Sequence, residues 1–77
     1  MGITVLFFGQ LADITGARTL QLDTPDSLAQ LKKQLLSKYP GLESVPFNVA
    51  VNTEIVDGDM SIATGSTIAL LPPFSGG

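Results

Sequence analysis

Two apolar runs, one near each end of the 77-residue chain, constrain its fold more than any other feature. Residues 3–8 read Ile-Thr-Val-Leu-Phe-Phe, and residues 66–71 read Ser-Thr-Ile-Ala-Leu-Leu. Such runs of β-branched, aromatic and aliphatic residues with few polar breaks are typical of strands that are covered on both faces. The chain is therefore predicted to contain a sheet in which its first and last strands are central.

The segment between the two runs carries one strong helix signal. Ser27 followed three residues later by Gln30 is a capping box, and Asp26 adds negative charge near the positive end of the helix. Pro40-Gly41 ends the helix. An apolar stripe recurs at three- and four-residue steps: Leu28, Leu31, Leu35 and Tyr39. Because this stripe occupies one side of the helix, the helix is predicted to lie on one face of the sheet.

Shorter elements complete the predicted fold. Residues 9–16 predict one short helical turn, and residues 18–23 predict a strand that pairs antiparallel with the first. Two further strands, 48–51 and 54–56, are joined by a turn. The order β-β-α-β-β-β predicts an α+β fold whose mixed sheet carries one main helix on one face, which is the β-grasp arrangement of the ubiquitin superfamily. Residues 1–77 are predicted to form a single domain, in which 72–77 form an extended C-terminal tail.

Composition excludes several classes of function. The chain has no cysteine and no histidine, which excludes thiolate chemistry, the usual zinc ligand sets and Ser-His or Cys-His catalysis. Four basic residues against seven acidic ones argue against nucleic acid as a partner. No apolar run approaches the roughly 20 residues that cross a membrane. Because small secreted domains usually carry disulfides, we expect a cytoplasmic protein.

Two charged clusters are interpreted as structural. The acidic residues Glu54, Asp57 and Asp59 do not match a calcium-binding loop, so they are predicted to be turn residues and no metal site is expected. Three lysines fall mainly off the apolar stripe of the predicted helix: Lys32, Lys33 and Lys38. They predict a solvated helix face more readily than a patch for an acidic partner.

The adjacent residues Phe7 and Phe8 must point to opposite faces of the sheet, because strand side chains alternate. If Phe7 lines the core with Ile3 and Val5, then Phe8 and Leu6 lie on the other face, where no second helix is available to cover them. Phe8 is therefore predicted to contact a partner, and a loop draped over it is the alternative.

The C-terminal tail is the strongest functional signal. Gly76 and Gly77 carry no side chain, so an extended tail can enter a narrow slot and place its carboxylate beside another protein's reactive groups. Pro72-Pro73 stiffens the base of a tail that reaches about 20 Å. Joined to AMP, that carboxylate becomes an anhydride. Attack by a sulfur donor then leaves a thiocarboxylate, and attack by a lysine leaves an isopeptide bond.

At this point the sequence resembles the MoaD family of small sulfur-carrier subunits of molybdopterin synthase, over essentially its whole length. The most specific match is the ending Leu71-Pro-Pro-Phe-Ser-Gly-Gly77. The other matching segments are Val5-Leu-Phe-Phe-Gly-Gln10, Ser27-Leu-Ala-Gln-Leu31, Val51-Asn52 and Asp57-Gly58-Asp59.

The resemblance implies that a MoeB-like enzyme uses ATP to adenylate Gly77, and that a sulfur donor protein supplies the thiocarboxylate sulfur. The tail would insert into a MoaE-like large subunit, in a heterotetramer of two small and two large subunits, and would deliver sulfur to cyclic pyranopterin monophosphate. The tail residues concerned are Pro72, Pro73, Phe74, Ser75 and Gly76. The partner-binding residues are Phe8, Ile55 and Leu71, of which Ile55 depends on the resemblance alone. The chain would bind no cofactor and would be a cosubstrate rather than an enzyme on its own.

Three alternatives stay open on the sequence. The chain is a sulfur carrier for another pathway, such as a ThiS-like protein of thiazole synthesis, although Pro72-Pro73 disfavours this. It is a ubiquitin-like modifier whose Gly77 is joined to target lysines. Or it is an interaction module whose C-terminal glycines are incidental.

Overall fold

A five-stranded mixed sheet with one long helix on one face makes up the body of the protein. The computed structural model describes residues 2–56 and 58–72. Its elements are β1 (Gly2–Phe7), α1 (Gln10–Thr15), β2 (Thr19–Asp23), α2 (Leu28–Lys38), a 3₁₀ helix (Pro40–Ser44), β3 (Asn48–Val51), β4 (Glu54–Val56) and β5 (Thr67–Leu71). In the described part of the chain, no helix is long and apolar enough to cross a membrane.

The strand order is β2-β1-β5-β3-β4, so the first and last strands are neighbours inside the sheet. β1 and β5 run parallel, with Cα partners from Thr4 and Thr67 to Phe7 and Leu70. The other pairs, β1 with β2, β3 with β4 and β3 with β5, are antiparallel. The predicted α+β class, central strands and leading antiparallel pair are therefore confirmed.

The core lies between the sheet and α2. Alternation along β1 buries Ile3, Val5 and Phe7 on the side of the helix, as predicted. The leucine stripe of α2 meets them, and Leu28, Leu31 and Leu35 are fully buried. Tyr39 follows the helix and is half-buried, with its ring edge-on to that of Phe7 at 5.8 Å between centroids.

The segment after α2 differs from the prediction. Pro40-Gly41 ends the α-helix as expected, but the chain then forms a 3₁₀ helix, an element that the sequence analysis did not predict. Leu42 is the reason, because its buried side chain holds this turn against the core.

The first turn of α2 confirms half of the predicted capping box. The Gln30 N–H donates to Ser27 Oγ at 3.2 Å. The reciprocal contact differs from the usual one, since Gln30 Oε1 accepts from the N–H of Asp26 at 2.6 Å rather than from that of Ser27.

A distant segment completes the cap of this helix. The N–H of Leu28 donates to the Met60 carbonyl at 2.8 Å, and the N–H of Ala29 donates to Asp59 Oδ1, also at 2.8 Å. A helix leaves its first N–H groups without partners inside the helix, so Asp59 satisfies one of them from 30 residues away. The predicted turn residue is therefore also a helix cap.

Candidate functional site

The sheet face opposite α2 presents a continuous apolar surface. One row of Cα partners crosses four strands, from Leu6 on β1 through Ala69 and Ala50 to Ile55 on β4. Phe8 and Leu71 lie next to this row, at the carboxyl ends of β1 and β5. We call this surface the open face and define it by six residues: Leu6, Phe8, Ala50, Ile55, Ala69 and Leu71.

Large side chains flank small ones on the open face. Phe8 is 44 % exposed and Ile55 is 60 % exposed, whereas Ala50 and Ala69 fill the middle with a single methyl group each. Four neighbouring strands span about 14 Å, so the two large residues stand on opposite sides of a shallow floor. Exposed apolar patches rimmed by polar residues mark protein-binding sites. The open face therefore has the shape and polarity of a docking surface for another protein.

The three residues that the family resemblance assigned to partner binding lie together on this face. Phe8 points away from the buried Phe7, Leu71 away from the buried Leu70, and Ile55 lies on the other side of its strand from Val56, which packs on the core. None of the described loops buries Phe8, so the predicted exposure of this ring is confirmed. Its contact with a partner stays a prediction.

Sequence reasoning missed the floor of the open face. Ala50 and Ala69 carry no functional signal as residue types, and only the sheet register aligns them between Leu6 and Ile55. A period of two within 66–71 indicates that Ala69 shares a face with Leu71, but the lateral order of the strands is not encoded locally.

A cleft of about 520 Å³ opens beside Phe8, between β1, α1 and β2. Leu6, Phe8 and Ala12 give it apolar walls, and Asp13 and Arg18 place one charge of each sign at its rim. Charges of both signs at the edge of an apolar surface favour a specific orientation of the partner.

The base of the C-terminal tail lies at the edge of the open face. Pro72 follows β5 directly and is half-buried against Gly9. Gly9 has φ +57 and ψ −135, a conformation that essentially only glycine adopts. The predicted functional residues Pro73, Phe74, Ser75, Gly76 and Gly77 lie outside the described residues, so their roles stay predictions.

The lysine cluster lies away from this site. Lys32, Lys33 and Lys38 belong to α2, on the covered side of the sheet, and the Lys38 Nζ lies 5.8 Å from the centre of the Tyr39 ring. Among residues 2–56 and 58–72, no three Asp or Glu side chains come together as metal ligands. Asp57 of the predicted acidic turn lies outside the described residues.

Comparisons with known proteins agree with this architecture. The molybdopterin synthase sulfur carrier subunit of Homo sapiens is 37 % identical over 97 % of this chain and 93 % of its own length. The crystal structure of the small archaeal modifier SAMP1 from Haloferax volcanii matches with a TM-score of 0.83 at 28 % identity, over all of both chains. Subunits 1 and 2 of molybdopterin-converting factor from Helicobacter pylori form a complex whose matching chain gives a TM-score of 0.76 at 26 % identity, again over all of both chains.

These neighbours confirm the ubiquitin-like β-grasp fold and the resemblance to the MoaD carriers. Residues 5–77 match the ThiS family, which covers the open face, the tail base and the C-terminal glycines in one alignment. The chain belongs to the ThiS family.

Proposed function

We propose that this chain is the sulfur-carrier subunit of a molybdopterin synthase, with Gly77 as the carrier group. The observation that carries the proposal is the 37 % identity with a protein of that name over nearly the whole chain. The open face and the Gly-Gly ending fit the role, since a carrier must dock on larger enzymes and present one reactive terminus. Carrier chemistry of this kind belongs in the cytoplasm, where ATP is supplied.

The C-terminal carboxylate supplies the chemistry. One carboxylate oxygen attacks the α-phosphorus of ATP on a MoeB-like enzyme, and pyrophosphate leaves. A sulfide-level sulfur from a donor protein then attacks the carbonyl carbon, and AMP leaves. The resulting thiocarboxylate is a sulfur nucleophile on a chain that has no cysteine. Its sulfur is delivered to cyclic pyranopterin monophosphate, and water restores the carboxylate. This chain binds no cofactor in the cycle.

The open face provides the docking energy. Burying the exposed parts of Phe8 and Ile55 contributes about 1–2 kcal/mol each, and the strands hold both side chains in place before binding. Five residues beyond Pro72 reach about 17 Å, which is enough to thread into a partner's active site. The Helicobacter pylori complex supports a MoaE-like large subunit as that partner. We extend this to a heterotetramer of two small and two large subunits.

Deletion of Gly77 tests the proposal. Reconstitution with the large subunit, the activating enzyme, ATP and precursor is expected to lose sulfur transfer at least a hundredfold, because the reacting atom is displaced by one residue. Adding one alanine after Gly77 is expected to cause the same loss of sulfur transfer. Adding one alanine before Met1 is the matched control and should leave sulfur transfer unchanged. The urea midpoint stays unchanged in all three. Full transfer by the deleted chain overturns the mechanism.

A ubiquitin-like modifier is the second candidate, and the similarity to the archaeal modifier SAMP1 favours it. In this case a lysine Nζ of a target protein attacks the adenylated Gly77, and an isopeptide bond forms. Intact mass in the native host separates the two roles. A carrier gains one sulfur in place of one oxygen on the monomer, whereas a modifier appears as conjugates. A ThiS-like carrier also gives the thiocarboxylate but transfers no sulfur with the large subunit.

A further inference from the structure

Gly9 and Pro72, which come from opposite ends of the chain, pack against each other at the base of the tail. A Cβ built on Gly9 lies 2.9 Å from Pro72 Cγ and 3.6 Å from Pro72 Cδ. Real Cβ atoms essentially never approach another heavy atom within 3.0 Å. The proline ring therefore rests directly on a bare Cα.

This contact is stiff on both sides. The Pro72 ring closes onto its own backbone nitrogen, so a force on Cγ or Cδ moves the main chain rather than a free side-chain end. Gly9 is held in the turn between β1 and α1, where the Phe8 N–H donates to the Leu70 carbonyl and the Ala12 N–H donates to the Gly9 carbonyl, both at 3.1 Å. A displaced ring must therefore turn the chain at Pro72.

We propose that Gly9 is a positioning residue for the C-terminal tail, a seat for the Pro72 ring that sets the direction in which the chain leaves the domain. The inference rests on the proposed function, because direction matters only if Gly77 is delivered to a reacting partner. Five extended residues can reach about 17 Å beyond Pro72, so a small rotation at the base would give a larger displacement at the end of such a chain. A misplacement of about 1 Å at a reacting atom can cost a hundredfold in rate.

A double-mutant cycle of Gly9→Ala and Pro72→Ala tests the seat. Gly9→Ala in the Pro72→Ala background measures the backbone effect at Gly9 without the ring contact, and Gly16→Ala is a control for a methyl group at a second glycine with positive φ. Gly16 also has a positive φ of 74, but a Cβ there meets nothing within 4 Å. Each of the two seat variants is expected to lower the turnover of sulfur transfer about tenfold at saturating large subunit. The dissociation constant of the complex changes less than threefold, because the open face is intact. Gly16→Ala keeps the wild-type turnover.

The double variant shows whether the two substitutions lower turnover through the same Gly9–Pro72 contact or independently. If Gly9 acts through the Pro72 ring, Gly9→Ala/Pro72→Ala is no slower than either single variant, since alanine at residue 72 lacks Cγ and Cδ. A hundredfold loss of turnover in the double variant, the product of two tenfold losses, overturns the proposal. A Gly9→Ala variant with the same turnover as Gly16→Ala also overturns it.

A measurement on the isolated protein separates failure of this inference from failure of the proposed function. In the NMR spectrum, the Gly9 Hα protons should show nuclear Overhauser effects to the Pro72 ring. Amide shifts of Ser75 to Gly77 should move in Gly9→Ala and not in Gly16→Ala. Missing Overhauser effects, or unmoved shifts, overturn the seat whatever the chain carries. If both are seen and the wild-type chain transfers no sulfur, the seat stands and only the carrier role fails.

Discussion

Shortening Phe7 and Phe8 to alanine, one at a time, should separate the core from the docking surface within a single dipeptide. Phe7 is 3 % exposed and packs edge-on against Tyr39, whereas Phe8 is 44 % exposed on the open face. We expect Phe7→Ala to destabilise the fold and Phe8→Ala to weaken the complex with the large subunit.

The two losses of folding free energy differ severalfold. Truncating a buried phenylalanine costs about 3–5 kcal/mol, including the cavity that is left behind. A domain of this size has a free energy of unfolding of about 4–12 kcal/mol, so Phe7→Ala removes a quarter or more of it. Phe8→Ala removes a ring that is already almost half in water and leaves no closed cavity, which costs about 1 kcal/mol.

Equilibrium unfolding in urea, followed by circular dichroism, measures both effects. With a slope of roughly 1 kcal/mol per molar urea, the midpoint falls by about 3 M or more for Phe7→Ala and by about 1 M for Phe8→Ala. If Phe7→Ala does not fold, the urea midpoints of Phe7→Leu and Phe8→Leu are compared instead. Calorimetric titration with the large subunit should show roughly five- to thirtyfold weaker binding for Phe8→Ala, which corresponds to about 1–2 kcal/mol, and a larger loss for Phe8→Glu. Equal midpoints for the two alanine variants, or a lower one for Phe8→Ala, would refute the assignment of faces.

Two hydrogen-bonded side chains away from the open face give predictions about stability alone. Asp59→Ala should lower the free energy of unfolding in urea by about 1–2 kcal/mol, because it removes the acceptor of the Ala29 and Met60 N–H groups. Asp59→Asn keeps an oxygen acceptor at this position and should lower it by less. A smaller loss of stability for Asp59→Ala than for Asp59→Asn would contradict this capping role. Asn52 has φ 49 and accepts from the Thr67 N–H at 2.9 Å, so Asn52→Ala should cost about 2 kcal/mol and Asn52→Gly about half as much. The reverse order of these two variants would show that backbone strain is not involved.

The features predicted best from the sequence are those that depend on residues close together in the chain. The α2 stripe and its Ser27 cap follow from spacings of three and four residues, and the opposite faces of Phe7 and Phe8 follow from strand alternation alone. The central places of β1 and β5 follow from polarity, because a strand with few polar residues is covered on both faces and would be prone to aggregation at a sheet edge.

Contacts between distant segments were not predictable in the same way. Asp59 reads as an ordinary turn residue, since nothing near it in the sequence indicates that a helix begins beside it. Gly9 likewise reads as a turn glycine, and only the parallel pairing of β1 with β5 brings Pro72 against it. The alanines of the open face depend on the lateral order of the strands, which a linear pattern does not contain.

The polarity of β1 and β5 links the fold to the proposed function. Their apolar runs predict strands covered on both faces, yet α2 covers one face, and Leu6, Ala69 and Leu71 on the other are only half-buried. An isolated domain gains no stability from the parts of these apolar side chains that water still reaches, and polar residues there would keep it more soluble. The apolar runs agree with the structure if a partner protein covers the sheet face opposite α2. The two apolar runs then describe the sheet as it is in the complex, with α2 on one side and the large subunit on the other.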